Sequence, residues 1–121
     1  MDSECKSKKN SRRKRKLICG VGINDADYQV KPLVNGVRLI CPFYSTWVRM
    51  LERCYSSKFH KTRPTYIGCS VSSEWLIFSQ FKAWMEKQDF NGKQLDKDLL
   101  VANNRIYGPD YCLFVTARIN T

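Results

Sequence analysis

From Tyr44 onward the apolar positions fall into two helical stripes. In "YSTWVRMLERCY" the residues Tyr44, Trp47, Val48, Leu51, Cys54 and Tyr55 recur at three- and four-residue intervals, and Pro42 suits the first turn. Arg49, Glu52 and Arg53 fall off that stripe and are free to face solvent or phosphate. The second stretch, "SSEWLIFSQFKAWMEKQ", predicts a helix with Ser72 or Ser73 as N-cap and Glu74 in its first turn. Its aromatic face of Trp75, Phe78, Phe81, Trp84 and Met85 belongs to a core rather than to a ligand box.

Elsewhere the periodicity is short or broken. "LICGVGINDADYQVKPLVNGVRLICPF" is interrupted by Gly20, Gly22, Pro32 and Gly36, which predicts an irregular arm with two short strands. "SSKFHKTRPTYIGCSV" holds polar residues, Pro64 and Gly68, and reads as a loop ending in a short apolar piece around Cys69 and Val71. Beyond the Asn91-Gly92 break, "QLDKDLL" reads as a short strand and "VANNRIYGPD" as a loop with a Gly-Pro turn. "YCLFV" then reads as a second strand, and "TARIN" starts a helix capped by Thr116. The expected fold class is α+β, with two helices packed on a small β-hairpin that is followed by a short helix.

A chain of 121 residues is most simply one domain. Its 43% apolar content is too high for a disordered protein, and no apolar run approaches the roughly 20 residues that span a bilayer. No membrane partner is expected. The basic N-terminus lacks the apolar segment of a secretory signal, so the expected compartment is the cytoplasm. The six cysteines, Cys5, Cys19, Cys41, Cys54, Cys69 and Cys112, are widely and irregularly spaced and read as reduced thiols. Without a C-x-x-C pair zinc is disfavoured, although Cys54, Cys69 and Cys112 could converge in space; buried apolar cysteines are the simpler reading.

The net charge of +10 is unevenly spread. Residues 1–16 carry eight Lys or Arg against Asp2 and Glu4, a local +6, which predicts a disordered basic tail (1–16) ahead of a folded domain (17–121). Such a run stays extended until it meets a polyanion, where each neutralised phosphate releases a counterion. The expected partner is nucleic acid, double-stranded DNA first, through Lys8, Lys9, Arg12, Arg13, Lys14, Arg15 and Lys16. A solubilising tail or a nuclear-import signal would look the same. Lys58, Lys61 and Arg63, interleaved with Phe59 and Tyr66, could track a phosphate backbone, and this pattern is a weak signal.

The chemistry lies in "LDKDLLVANNRIYGPDYCLFVTARIN". Its strand, loop, strand and helix follow the order of a ββα-metal unit, and its Asp96-Lys97, Asn103-Asn104-Arg105-Ile106 and Val115-Thr116-Ala117-Arg118-Ile119-Asn120 blocks resemble the HNH endonuclease family. The span from Trp47 to Asn120 also looks like an HNH-type group common in phages and mobile elements; the cytoplasm would then be that of a host cell. The resemblance implies a Mg²⁺ cofactor held by Asp96 and Asn120, with Asn104 bracing the loop; Arg105 is a further candidate for nucleic-acid contact. A DNA-binding module follows the nuclease unit in longer proteins of this type and is not expected after Thr121. Lys97 stands where the family carries its water-activating histidine, so the catalytic set would be Asp96, Lys97, Asn104 and Asn120 with its base exchanged. Rescue could come from His60, the only histidine, from Asp98, or from metal-bound water alone. Three functions follow: a Mg²⁺-dependent endonuclease or nickase, an inactive scaffold that binds nucleic acid as a repressor or inhibitor of host nucleic-acid machinery, and a basic surface that docks on an acidic host protein.

Overall fold

Pro42 opens the longest helix, where its missing N–H costs nothing at the first turn. The computed structural model describes residues 15–98, 100 and 103–116, and among them this helix, α1, runs Pro42–Tyr55. It buries Tyr44, Trp47, Met50, Leu51 and Cys54. Arg49 is exposed as the periodicity predicts, Arg53 is half-buried with its side chain bonded to the Tyr107 hydroxyl, and Met50 joins the core unannounced. Ahead of α1, β1 (Leu33–Val34) and β2 (Val37–Arg38) pair antiparallel across Asn35-Gly36, both at positive φ (52° and 80°). That is the conformation a two-residue hairpin loop with the strands' own twist requires.

The segment 57–71 is more ordered than its polar composition predicts. Ser56 accepts from the Phe59 amide at 3.2 Å and caps a second helix, α2 (Ser57–Thr62), and a 3₁₀ turn follows at Pro64–Tyr66. The predicted loop is corrected accordingly. Local capping and the Phe59–Tyr66 edge-to-face contact at 5.5 Å hold α2, which buries no residue of its own.

The aromatic stretch after Ser72 is also divided. A 3₁₀ turn covers Ser73–Leu76 and the α-helix, α3, covers only Phe78–Met85. Ser72 makes no capping bond. Between the two pieces Ile77 is extended and bridges Ile23, with Ile23 N–H donating to Leu76 O at 2.7 Å and Phe78 N–H to Ile23 O at 2.9 Å. The start of α3 is capped from a distance: Asp25 accepts from the Ser79 amide at 2.8 Å and from its hydroxyl at 2.5 Å. Trp75, Phe78, Phe81 and Met85 are buried as predicted, while Trp84 is half-buried and stacks on Phe114 at 5.7 Å.

Four short strands complete the fold. β4 (Gln94–Asp96) pairs antiparallel with β6 (Leu113–Val115), placing Asp96 opposite Leu113. β5 (Ile106–Tyr107) lies inside the predicted loop and pairs parallel with β3 (Ser70–Val71), which joins the cysteine-containing segment to the hairpin. The chain is thus α+β, with helices and small sheets around one aromatic core. The expected C-terminal helix and most of the basic tail lie outside the described residues. Among the described residues no helix is long and apolar enough to cross a membrane.

Burial pushes the thiols of Cys54 and Cys112 from 9.0 up to about 12. Their neighbours reinforce or oppose this in smaller measure, Cys69 raising the first and the Gly108 backbone lowering the second. A folded-state value above the unfolded one means that unfolding releases a proton once pH passes the unfolded value. The stability these thiols contribute is therefore complete below about pH 9 and lost as pH rises towards 12. Chemical denaturation across that window should show a falling midpoint that Cys54→Ala and Cys112→Ala variants flatten. An unchanged slope in both variants would reject the assignment.

Candidate functional site

Asp96 ends β4, and the chain turns out of the strand through Lys97 and Asp98. The Asp98 amide donates to Asp96 Oδ2 at 3.1 Å, an Asx-type bond that fixes the turn and orients the Asp96 carboxylate. Lys97 turns inward and is only 8% exposed. Its ammonium donates to both oxygens of Asp98, at 3.0 and 3.1 Å, and lies over the rings of Tyr66 (5.8 Å) and Tyr107 (5.9 Å). A buried cation is costly unless paired, and this one is paired on one side and flanked by two π faces on the other. Asp98 is about half exposed, so solvent screens the pair from that side.

Asn104 braces the loop. Its Nδ2 donates to Lys97 O at 3.0 Å and to Ile106 O at 2.5 Å, while its Oδ1 accepts from the Ile106 amide at 3.1 Å. One side chain thus ties the end of β4 to the start of β5. Asn103 beside it adopts a left-handed φ of 60°, which asparagine tolerates better than most residues. Arg105 is likewise a brace: its guanidinium donates to Thr65 O at 2.9 Å and to Ile67 O, holding the 3₁₀ turn against the loop.

These groups line a cleft of about 470 Å³ formed by Thr65, Tyr66, Lys97, Asp98, Asn103, Asn104 and Arg105. The cleft brings together Lys97, Asn104 and Arg105 of the expected set, and Asp96 stands at its margin through the bond to Asp98. Asn120 lies outside the described residues, as do Lys8, Lys9, Arg12, Arg13 and Lys14. Arg15 and Lys16 are exposed, and Arg15 docks on the domain by donating to Asn24 O at 2.6 Å. Lys58, Lys61 and Arg63 are exposed on α2 and at its end.

His60 stands apart from the residues that line this cleft. It sits in α2 with Nε2–H donating to Arg53 O at 2.7 Å. Asp98 is occupied by Lys97. As ligands for Mg²⁺ the described residues offer Asp96, one of whose oxygens already accepts from an amide. Among the described residues no three His, Cys, Asp or Glu side chains converge as a metal-holding group. They do not make a cation cage by themselves. Cys54, Cys69 and Cys112 are all buried and pack into the core as thiols.

Helical periodicity leaves Arg49 and Arg53 open to either solvent or phosphate, and it does not reveal Lys93. Thr46, Arg49 and Arg53 recur at three- and four-residue intervals on the outer face of α1, and they border a second cleft with Lys93, Gln94 and Leu95. The available signal is the pair of arginines four residues apart. No protein-family model, curated protein or solved structure matches the chain.

Proposed function

We propose that this chain is an HNH-like DNA-binding protein of phage or mobile-element type whose ββα-metal unit holds the nucleic-acid backbone without hydrolysing it. The observation that carries this reading is the state of Lys97. An ammonium has three donors and no acceptor, and this one donates to both oxygens of Asp98. It can attract or position a phosphate oxygen, but it offers no lone pair to a water proton. The unit itself is supported by the antiparallel pairing of β4 with β6, by Asp96 at the strand end, and by Asn104 clasping the loop between them. Affinity then comes mainly from charge, and most of the charge excess is in residues 1–16.

The hydrolytic alternative, a Mg²⁺-dependent endonuclease or nickase, has one observation in its favour. The Asp96 carboxylate is held at the margin of the cleft by the Asp98 amide, the kind of preorganised acid a metal-dependent site uses. The described residues carry no step of that reaction further.

Deleting residues 1–16 tests the binding reading. The core begins only after this segment, and the truncated chain should melt close to the full one. Its affinity for a DNA duplex should fall, and its log K against log salt should flatten by several units, at about 0.9 for each phosphate that is no longer neutralised. Fluorescence anisotropy over a range of salt concentrations measures both. A folded truncation with an unchanged salt slope removes the tail as a phosphate-binding arm, and a full chain that binds no duplex removes the reading itself.

A further inference from the structure

The charges of the main cleft are largely answered from within. Lys97 is paired with Asp98, and Arg105 is committed to two backbone carbonyls. A second group of cations collects near the hydroxyl of Tyr107, and among the described residues two of its three members lack a carboxylate partner. This buried phenol has Lys97 over its ring and the Arg53 guanidinium within hydrogen-bonding reach of its hydroxyl. From there the cleft of about 140 Å³ between α1 and the start of β4 collects Arg53, Arg49 and Lys93, with Thr46 adding a hydroxyl.

Two arginines four residues apart on one helix face repel each other, which disfavours a helix that gains nothing from the pair. Among the described residues no carboxylate lies within ion-pair distance of Arg49 or Arg53, while Lys93 is bonded to the exposed Asp89 at 2.7 Å. Two guanidinium forks and an ammonium around one small polar cleft match a tetrahedral oxyanion, since guanidinium groups bind phosphate oxygens in pairs and an ammonium adds a point charge. The position is suited to a polymer. Gln94 borders this cleft and Lys97 the other, three strand residues or about 10 Å apart.

We propose that the Arg49, Arg53 and Lys93 cleft is a phosphate subsite, occupied in the DNA-bound chain by a backbone phosphodiester next to the one that enters the Lys97–Asn104 cleft. The DNA source rests on the function proposed above; the phosphate chemistry does not. Two measurements on the full chain separate them. In duplex binding, Arg49→Ala should lower the salt slope by about 0.9, whereas Lys87→Ala, an exposed lysine in the turn that follows α3, should leave it unchanged. In the second measurement, inorganic phosphate titrated at constant ionic strength should shift the Arg49 and Arg53 side-chain Nε–H resonances saturably. In the Arg49→Ala protein the Arg53 shift should weaken.

A duplex-binding chain whose slope is unaltered by Arg49→Ala, or altered equally by Lys87→Ala, overturns the subsite. If the full chain binds no duplex, the DNA reading fails and the phosphate titration decides alone. Saturable shifts that Arg49→Ala removes then keep the cleft as a site for free phosphate esters, and their absence overturns it.

Discussion

Trp47→Ala is expected to destabilise the domain by about 3–5 kcal/mol, the range seen when a fully buried tryptophan is truncated. Trp47 is 0% exposed and packs against Tyr44 at 5.8 Å and Phe78 at 5.3 Å. Its indole N–H donates to Trp75 O at 2.7 Å, so truncation opens a cavity and also strands a buried carbonyl. The arm before α1 depends on the same ring: a Cβ at Gly22 would fall 3.0 Å from Trp47 Cζ2 and 2.5 Å from Leu51 Cδ1. A domain of this size has only about 5–15 kcal/mol in total, so the variant should be marginal. Trp47→Phe keeps most of the ring and loses the bond, and about 1–2 kcal/mol should go. Trp84→Ala should cost less than Trp47→Ala, because Trp84 is only half-buried. Urea denaturation followed by far-UV circular dichroism gives all three, and a Trp47→Ala midpoint equal to wild type would mean that this ring does not organise the core.

The parts of the fold that can be read from the sequence are those held by local rules. The stripe of α1 is regular over three turns, and Asn35-Gly36 sets its hairpin through backbone conformation alone. What cannot be read depends on partners distant in the chain. α3 begins at Phe78 rather than at Ser73 because Ile77 is drawn into a bridge with Ile23 and Asp25 supplies the cap from 54 residues away. β5 exists because Ser70 and Val71 lie alongside it, and its two strand-favouring residues, Ile106 and Tyr107, are too few to show a strand period among the turn residues around them. α2 escapes for a different reason. It buries no residue, so it writes no hydrophobic period into the sequence, and only Ser56 marks its start.

The site divides in the same way. The spacing of Asp96, Lys97 and Asn104 points to one loop, and the Asn104 bonds to Lys97 O and Ile106 O give that spacing a physical cause. Arg105, a candidate for nucleic-acid contact in the sequence, also serves as a brace, and that role cannot be read because the carbonyls of Thr65 and Ile67 come within its reach only in the folded chain. The cation cluster is invisible from sequence alone, since Lys93 is distant in the chain from the helix that supplies its companions.

Lys97→His is expected to raise DNA nicking by about 10²–10⁴ over the background seen with the natural chain, the usual contribution of a positioned general base. With the ammonium gone, the two oxygens of Asp98 lose their donor and the slot between Tyr66 and Tyr107 is left for a planar ring. A neutral imidazole there has one donor nitrogen, which Asp98 can accept from, and one acceptor nitrogen free to take a proton from water. Asn104 holds the backbone of residue 97 through its carbonyl, so the new side chain starts from the same main-chain position. The measurement is conversion of supercoiled to open-circular plasmid with Mg²⁺ or Mn²⁺ present, on protein whose melt and duplex affinity match the natural chain. Adding Asp96→Ala should remove the gain while leaving the affinity supplied by residues 1–16. A folded, DNA-binding Lys97→His protein with no gain would mean that Asp96 and Asn104 only shape a loop. The HNH-like reading would then lose its chemical basis, leaving a basic protein that binds without any latent site for cutting. A gain abolished by Asp96→Ala would instead identify Lys97 as the one side chain that separates holding DNA from cutting it.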